Sequence, residues 1–292
     1  MLGLLLAAWV QATQGAGPGA AAVEHGATPQ GLLWRIEKPG LPPSHLFGTM
    51  HSEHPAIVTL PRPVQETLAS SARVTLEMLM DPDTIAALSA SMLITEGPAL
   101  PERIDPALYR QTVQAMAAQG VPEQTLRTFK PWAAAMTLMV PRNNTGLFLD
   151  RVLYLETLAK GLPVAGLETA AEQMQVFEGL SAEDQVELLR ESLRQYPRLD
   201  ELYAEMRAVY LRRDLDGLRE LSQASLRAGD AGLAKRFNVR VILDRNRRMV
   251  ERMQPGLQSG NTFFAVGALH LPGPEGILEL LRQQGYRVSA LY

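Results

Sequence analysis

The chain has 292 residues, 46% hydrophobic and 20% charged, with a formal net charge of −3 and no cysteine. Such a composition supports a globular protein with a sizeable core and argues against wholesale disorder. The slight acidic excess offers no basic surface for nucleic acid or anionic lipid. Without cysteine, disulfides, thiolate zinc sites, iron–sulfur clusters and a cysteine nucleophile are excluded. A metal, if bound, must be held by His, Asp, Glu or backbone oxygen.

Residues 1–23 read as an export signal. Leu2 to Val10 form an apolar stretch of the right length, and a tract of small residues suited to cleavage follows, although no Lys or Arg follows Met1. The expectation is a periplasmic or secreted protein whose mature part, residues 24–292, forms a single domain. No later window reaches about 18 uninterrupted apolar residues, so no membrane span is expected there.

Two short strands are predicted at 32–37 and 45–49, joined by a turn rich in Pro and Gly. The second runs into the turn Gly48-Thr49-Met50-His51. Helical spacing follows over 61–71, with Pro63 in the first turn, and 73–78 reads as a buried strand ending near Glu77. Residues 81–254 are read as a large helical insertion with breaks at Gly97-Pro98 and Gly120-Val121-Pro122. A short strand near 162–167, ending at Glu168, interrupts it, and Gly161 is a plausible C′ glycine for the helix before it. Ser181 carries a cap signature for the charged, leucine-periodic stretch 181–254. A strand at 262–266 leads into Gly267-Ala268-Leu269-His270, a helix over 275–284 and a final strand over 286–292. Each Gly-x-x-His turn follows an apolar strand and precedes a helix and a Val-containing strand. This internal echo predicts one α/β (α+β) core, with a central sheet built from N- and C-terminal strand–turn–helix units.

Of five histidines, His51 and His270 stand three residues past a glycine at a strand end. Ligands of open α/β sheets bind at such ends, and neutral imidazole is the commonest metal ligand and a natural base near pH 7. Glu77 and Glu168 also close apolar strands and would share that rim. Two His with one or two Glu suit zinc, manganese or cobalt, with a position left for water. The competing reading of each Glu is an Arg-paired carboxylate at the sheet edge. Arg245 lies in a run, 240–252, in which Asp244 and Arg248 are i,i+4 neighbours. Much of that run reads as a solvated ion-pair face from which one Arg or Asn reaches the crevice. His54 reads as a surface loop residue. There is no Gly-x-Ser-x-Gly elbow, Walker loop or Rossmann glycine pattern in a βα context.

The chain resembles the TraB/GumN family, to which the Tiki metalloproteases also belong. The likeness rests on Trp34-Arg35-Ile36, on Leu46-Phe47-Gly48-Thr49-Met50-His51, and on Leu76-Glu77-Met78. It continues through Gly161-Leu162-Pro163-Val164, Leu167-Glu168-Thr169 with Gln173, Arg245-Asn246, and Val266-Gly267-Ala268-Leu269-His270-Leu271-Pro272-Gly273. Two departures stand out. Ala268-Leu269 replaces the Ala-Gly often found before the second histidine, and the segment Gly146 to Asp150 differs from a Gly-x-Asp spacing. The resemblance implies an erythromycin esterase-like fold and a metal-dependent, peptidase-like hydrolase using both histidines and a glutamate.

In that reading His51, His270 and Glu77 bind a divalent ion, Glu77 alternatively acting as general base. Glu168 supports the site and Arg245 stabilises developing negative charge on a peptide or small-molecule substrate. The alternative is a periplasmic ligand-binding or chaperone-like protein that uses the same cleft without turnover.

Overall fold

Both ends of the chain contribute strands to one sheet. In a computed structural model, which describes residues 30–141, 145–227 and 231–292, six strands are formed. They are β1 (Leu33–Glu37), β2 (Ser44–Thr49), β3 (Arg73–Met78), β4 (Val164–Glu168), β5 (Thr262–Gly267) and β6 (Arg287–Ala290). The predicted export segment lies outside the described residues. The sheet order is β4-β3-β5-β2-β1-β6. β4, β3, β5 and β2 run parallel, and β1 is antiparallel to both β2 and β6. The remaining structure is mostly helical, so the architecture is mixed α/β with a mixed six-stranded sheet.

Strand chemistry explains the order. β5 (Thr-Phe-Phe-Ala-Val-Gly) is buried from Thr262 to Val266 and sits between β3 and β2. A near-continuous apolar run is what a parallel strand covered on both faces requires. β3 alternates instead, with Val74, Leu76 and Met78 buried and Thr75 and Glu77 half-buried on the other face. Edge strand β4 leaves Ala165 and Gly166 exposed and buries only Leu167 and Glu168 at its carboxyl end.

The echo between the two Gly-x-x-His units becomes direct pairing. β2 and β5 are parallel neighbours, with Gly48 opposite Val266 and Thr49 opposite Gly267. Gly48 is required by this approach, since a Cβ there would come within 2.7 Å of Leu271 Cδ1 and 3.2 Å of the Ala268 backbone. The carboxyl ends of all four parallel strands therefore share one rim, in the order Glu168, Glu77, Gly267 and Thr49.

The insertion supplies the helices over that rim. Gly161 (φ 66°) terminates the helix Leu149–Ala159 as expected. Ser181 accepts from the Asp184 N–H at the start of Ala182–Gln195. A helix over Ala170–Glu178, absent from the sequence reading, begins with a full capping box between Thr169 and Glu172. The stretch 181–254 is not one helix. It breaks at Arg213, whose φ is 62°, and passes through a π-helical turn, Val239–Leu243, before the helix Asp244–Ser259. Among the described residues no helix is long and apolar enough to cross a membrane.

Candidate active site

The rim carries two polar clusters, one enclosed and one open. The enclosed cluster centres on Arg245, whose side chain has no exposure. Its Nη2 donates to Glu77 Oε1 and to Glu168 Oε2, each at 2.5 Å, and its Nε donates to Glu168 Oε2 at 2.9 Å. Arg248 donates to the other oxygen of Glu168 through Nε at 3.2 Å and also through Nη2. The amide of Gln173, on the helix missed in the sequence, donates to Glu77 Oε1 at 3.1 Å and Glu168 Oε2 at 3.3 Å. The buried Glu168 and the half-buried Glu77 are thus balanced by two guanidinium groups, which is the condition for tolerating ionic groups drawn away from water. Val241, in the π-helical turn, accepts from Arg245 Nη1 at 3.3 Å and helps aim the guanidinium at the sheet.

His270 completes this cluster and is fully buried. Its Nδ1 lies 2.6 Å from Asn246 Oδ1, while Asn246 Nδ2 donates to the Glu275 carbonyl at 2.8 Å. The carbonyl fixes the orientation of the amide, so Asn246 Oδ1 is the acceptor and His270 Nδ1 carries the proton. His270 Nε2 then presents its lone pair, 3.3 Å from Arg245 Nη1 and 4.0 Å from Glu77 Oε2. Burial first, and then the Arg245 charge, push the His270 pKa down to about 4. For Glu77, burial works to raise the pKa. Arg245, His270 and the Gly267 N–H, which donates to Oε2 at 2.8 Å, outweigh it and hold the carboxyl well below the usual carboxylate range.

The open cluster surrounds His51. Its ring packs on Phe148 with centroids 3.6 Å apart, and its Nδ1 is buried without a hydrogen-bond partner, 3.8 Å from Asp150 Oδ2. Thr49 Oγ1 donates to Asp150 Oδ1 at 2.6 Å. Phe148 and Asp150 reach His51 because the Leu149 N–H donates to the Ser52 carbonyl. Glu53 also accepts from the Thr145 and Gly146 N–H groups, which ties this segment to the turn. Burial lowers the His51 pKa well below its ordinary value and raises that of Asp150. Tyr210, from the helix Leu199–Leu211, donates to the Gly48 carbonyl at 2.8 Å and roots the insertion on the first turn. His54 is an exposed cap whose Nδ1 accepts from the Ala56 N–H.

His51, Glu77 and Asp150 line a narrow cleft that is partly open to solvent. Neither His270 nor Arg245 lines it. Arg245 was expected to meet developing charge on a substrate, but it lies enclosed behind Glu77, where it acts by positioning that carboxylate. Glu168 matches the Arg-paired reading, its side chain having no exposure. The expected Asp244–Arg248 pair is also replaced, since Arg248 reaches Glu168 and Asp244 accepts from Arg247 at 3.1 Å. Asp150, Phe148 and Tyr210 were not identified as site residues from the sequence; only the altered spacing at Gly146 to Asp150 pointed toward the first two.

A divalent ion can be tested against these donors. Two ligands bound at about 2.0–2.1 Å to one ion lie at most roughly 4.2 Å apart. His270 Nε2 and Glu77 Oε2, at 4.0 Å, satisfy that limit, and Asn246 orients the imidazole as a supporting group does for a metal-bound histidine. His51 adds a buried ring nitrogen without a partner. Among the described residues, no three His, Asp or Glu side chains already converge on one point, and Arg245 Nη1 stands at His270 Nε2. The donor types are those of a divalent-ion site, with His270 and Glu77 at the wide end of ligand spacing and the remaining donors not gathered on one point.

The chain is similar to Metalloprotease TIKI2 of Danio rerio, with 24% identity over 88% of this chain and 60% of that protein. It is likewise similar to Metalloprotease TIKI1 of Danio rerio (24% identity, 88% and 62% covered) and Metalloprotease TIKI2 of Xenopus tropicalis (24%, 88% and 59%). It spans about three-fifths of the length of these curated relatives. No solved structure matches it. The TraB/PrgY/gumN family model matches residues 32–290, from β1 to the end of β6, and encloses every rim residue described above. The chain belongs to the TraB/PrgY/gumN family.

Proposed function

We propose that this chain is a metal-dependent, peptidase-like hydrolase acting in the cleft at the carboxyl rim of the sheet. The observation that carries the reading is Glu77, which lines the cleft between the two histidine turns with Oε2 4.0 Å from His270 Nε2. His51, His270 and Glu77 are the residues assigned to hold a zinc, manganese or cobalt ion. When bound, the ion would supply Lewis acidity toward the scissile carbonyl and the attacking water. Glu77 serves as a ligand or as general base. Arg245 and Glu168 keep Glu77 ionised and oriented, and Asn246 fixes the tautomer of His270. The distant relatives named metalloproteases support the reaction class. The reading extends to a periplasmic or secreted location, to residues 24–292 acting as one domain, and to a likeness with erythromycin esterase-like folds.

The test is elemental analysis and titration calorimetry with zinc, manganese and cobalt, alongside cleavage of a peptide library with and without chelator. Stoichiometric uptake in the wild type is expected, lost in His51→Ala and His270→Ala, with cleavage abolished by chelator. Uptake by both variants equal to that of the wild type overturns the assignment.

A further inference from the structure

The cleft joins two kinds of surface. The strand ends give it polar groups: Thr49, His51, Glu77 and, from the adjoining helices, Asp150 and Gln173. Apart from the Tyr210 hydroxyl, the larger side chains of the rest are apolar and come from the helical insertion and the turn after β3: Met80, Phe148, Met206 and Leu218, with Met50, Met78 and Leu269 from the rim. Among the described residues lining it there is no lysine or arginine. The nearest guanidinium, Arg245, is already engaged by Glu77 and Glu168.

We propose that the cleft selects peptides by a large apolar side chain beside the scissile bond and turns away acidic ones, an inference that rests on the hydrolase reading. Methionine thioethers are flexible and polarizable and mould to aliphatic and aromatic groups of differing shape. Four of them with Phe148, Leu218 and Leu269 form a wall that gains from desolvating such a group. A carboxylate side chain seated on that wall would leave water for thioethers and rings that offer it neither a cation nor a hydrogen-bond donor, and a charge buried in that way is rejected.

The experiment uses capped peptides Ac-Ala-X-Ala-NH2 with X as Met, Leu, Phe, Ser or Glu. Binding is followed by calorimetry and cleavage by kcat/KM with the metal-loaded protein. Met, Leu and Phe are expected to exceed Ser by about tenfold or more, the usual discrimination of an apolar pocket, with Glu below Ser. Met80→Lys, a half-buried position outside the polar cluster, is expected to narrow the gap between Leu and Glu by about tenfold. The wild-type series decides by itself if that variant fails to fold. Cleavage with a flat profile, or with Glu preferred, overturns the selectivity and leaves the hydrolase standing. Apolar peptides bound tightly but never cut leave the selectivity standing and sink the hydrolase. Absence of both binding and cleavage overturns both.

Discussion

The two Gly-x-x-His turns sit side by side on neighbouring strands, yet their histidines live in opposite environments. His270 has no exposed surface, and both its ring nitrogens have partners, Asn246 on one side and Arg245 on the other. His51 keeps about 15% of its side chain exposed, lines the cleft and leaves Nδ1 without a hydrogen bond. The shared motif therefore fixes where each imidazole begins, while the helices packed on it decide what it can do. On the His270 side the helix Asp244–Ser259 supplies Arg245 and Asn246 and locks the ring. On the His51 side the N-cap and first turn of Leu149–Ala159 supply Phe148 and Asp150 and leave a nitrogen available.

The contrast breaks most severely if the locked side is emptied. Arg245→Met leaves Glu77 and Glu168 short of their principal cation, and removing one partner of a buried ion pair costs about 3–5 kcal/mol. Denaturant unfolding is expected to reveal a loss of that size, and a loss below about 1 kcal/mol would show that the cluster is not what secures the rim. A second test sharpens the contrast through pH. His270 titrates at about 4 in the folded protein against roughly 6.5 unfolded. Between those values the unfolded chain binds the extra proton, so its contribution is complete above about pH 6.5 and drains away as the pH falls toward 4. The two pKa values set the effect on the order of 3 kcal/mol in metal-free protein. The slope of stability against pH is expected to flatten in His270→Gln, and an unchanged slope would contradict the burial. The smallest effect belongs to the open side, where Thr49→Val deletes the bond to Asp150. About 1 kcal/mol is expected, with a larger fractional change in peptide turnover than in stability. The reverse ranking would make the Thr49–Asp150 pair a structural clasp.

The strand ends were legible because they depend on local chemistry. β3 matched its predicted span of 73–78, and β2 and β5 shifted by a single residue at one end. Glu77, Glu168, His51 and His270 came to one edge because each follows an apolar strand, and strands in one parallel group must end together. What remained hidden lies across long separations. Thr49 and Asp150 are 101 positions apart, Arg248 and Glu168 are 80, and no periodicity records such a meeting. Within the run 240–252, local spacing favoured Asp244 with Arg248, but a buried carboxylate holds a guanidinium more firmly than a solvated neighbour does. The break at Arg213 was invisible for another reason, since no glycine marks its positive φ. The helix Ala170–Glu178 was readable, because Thr169 and Glu172 spell a capping box.

The position of β5 has a bearing on how the molecule is made. β2 and β3 never touch as partners; each pairs with β5, which follows β3 only after the whole helical insertion. A ribosome that has delivered the first 250 residues has released two strands with no strand yet made to fill the gap between them. Chain closure over that distance is slow, and unfilled edges invite association with other chains. The parallel half of the sheet therefore cannot close until the whole helical insertion has been made and β5 has followed it.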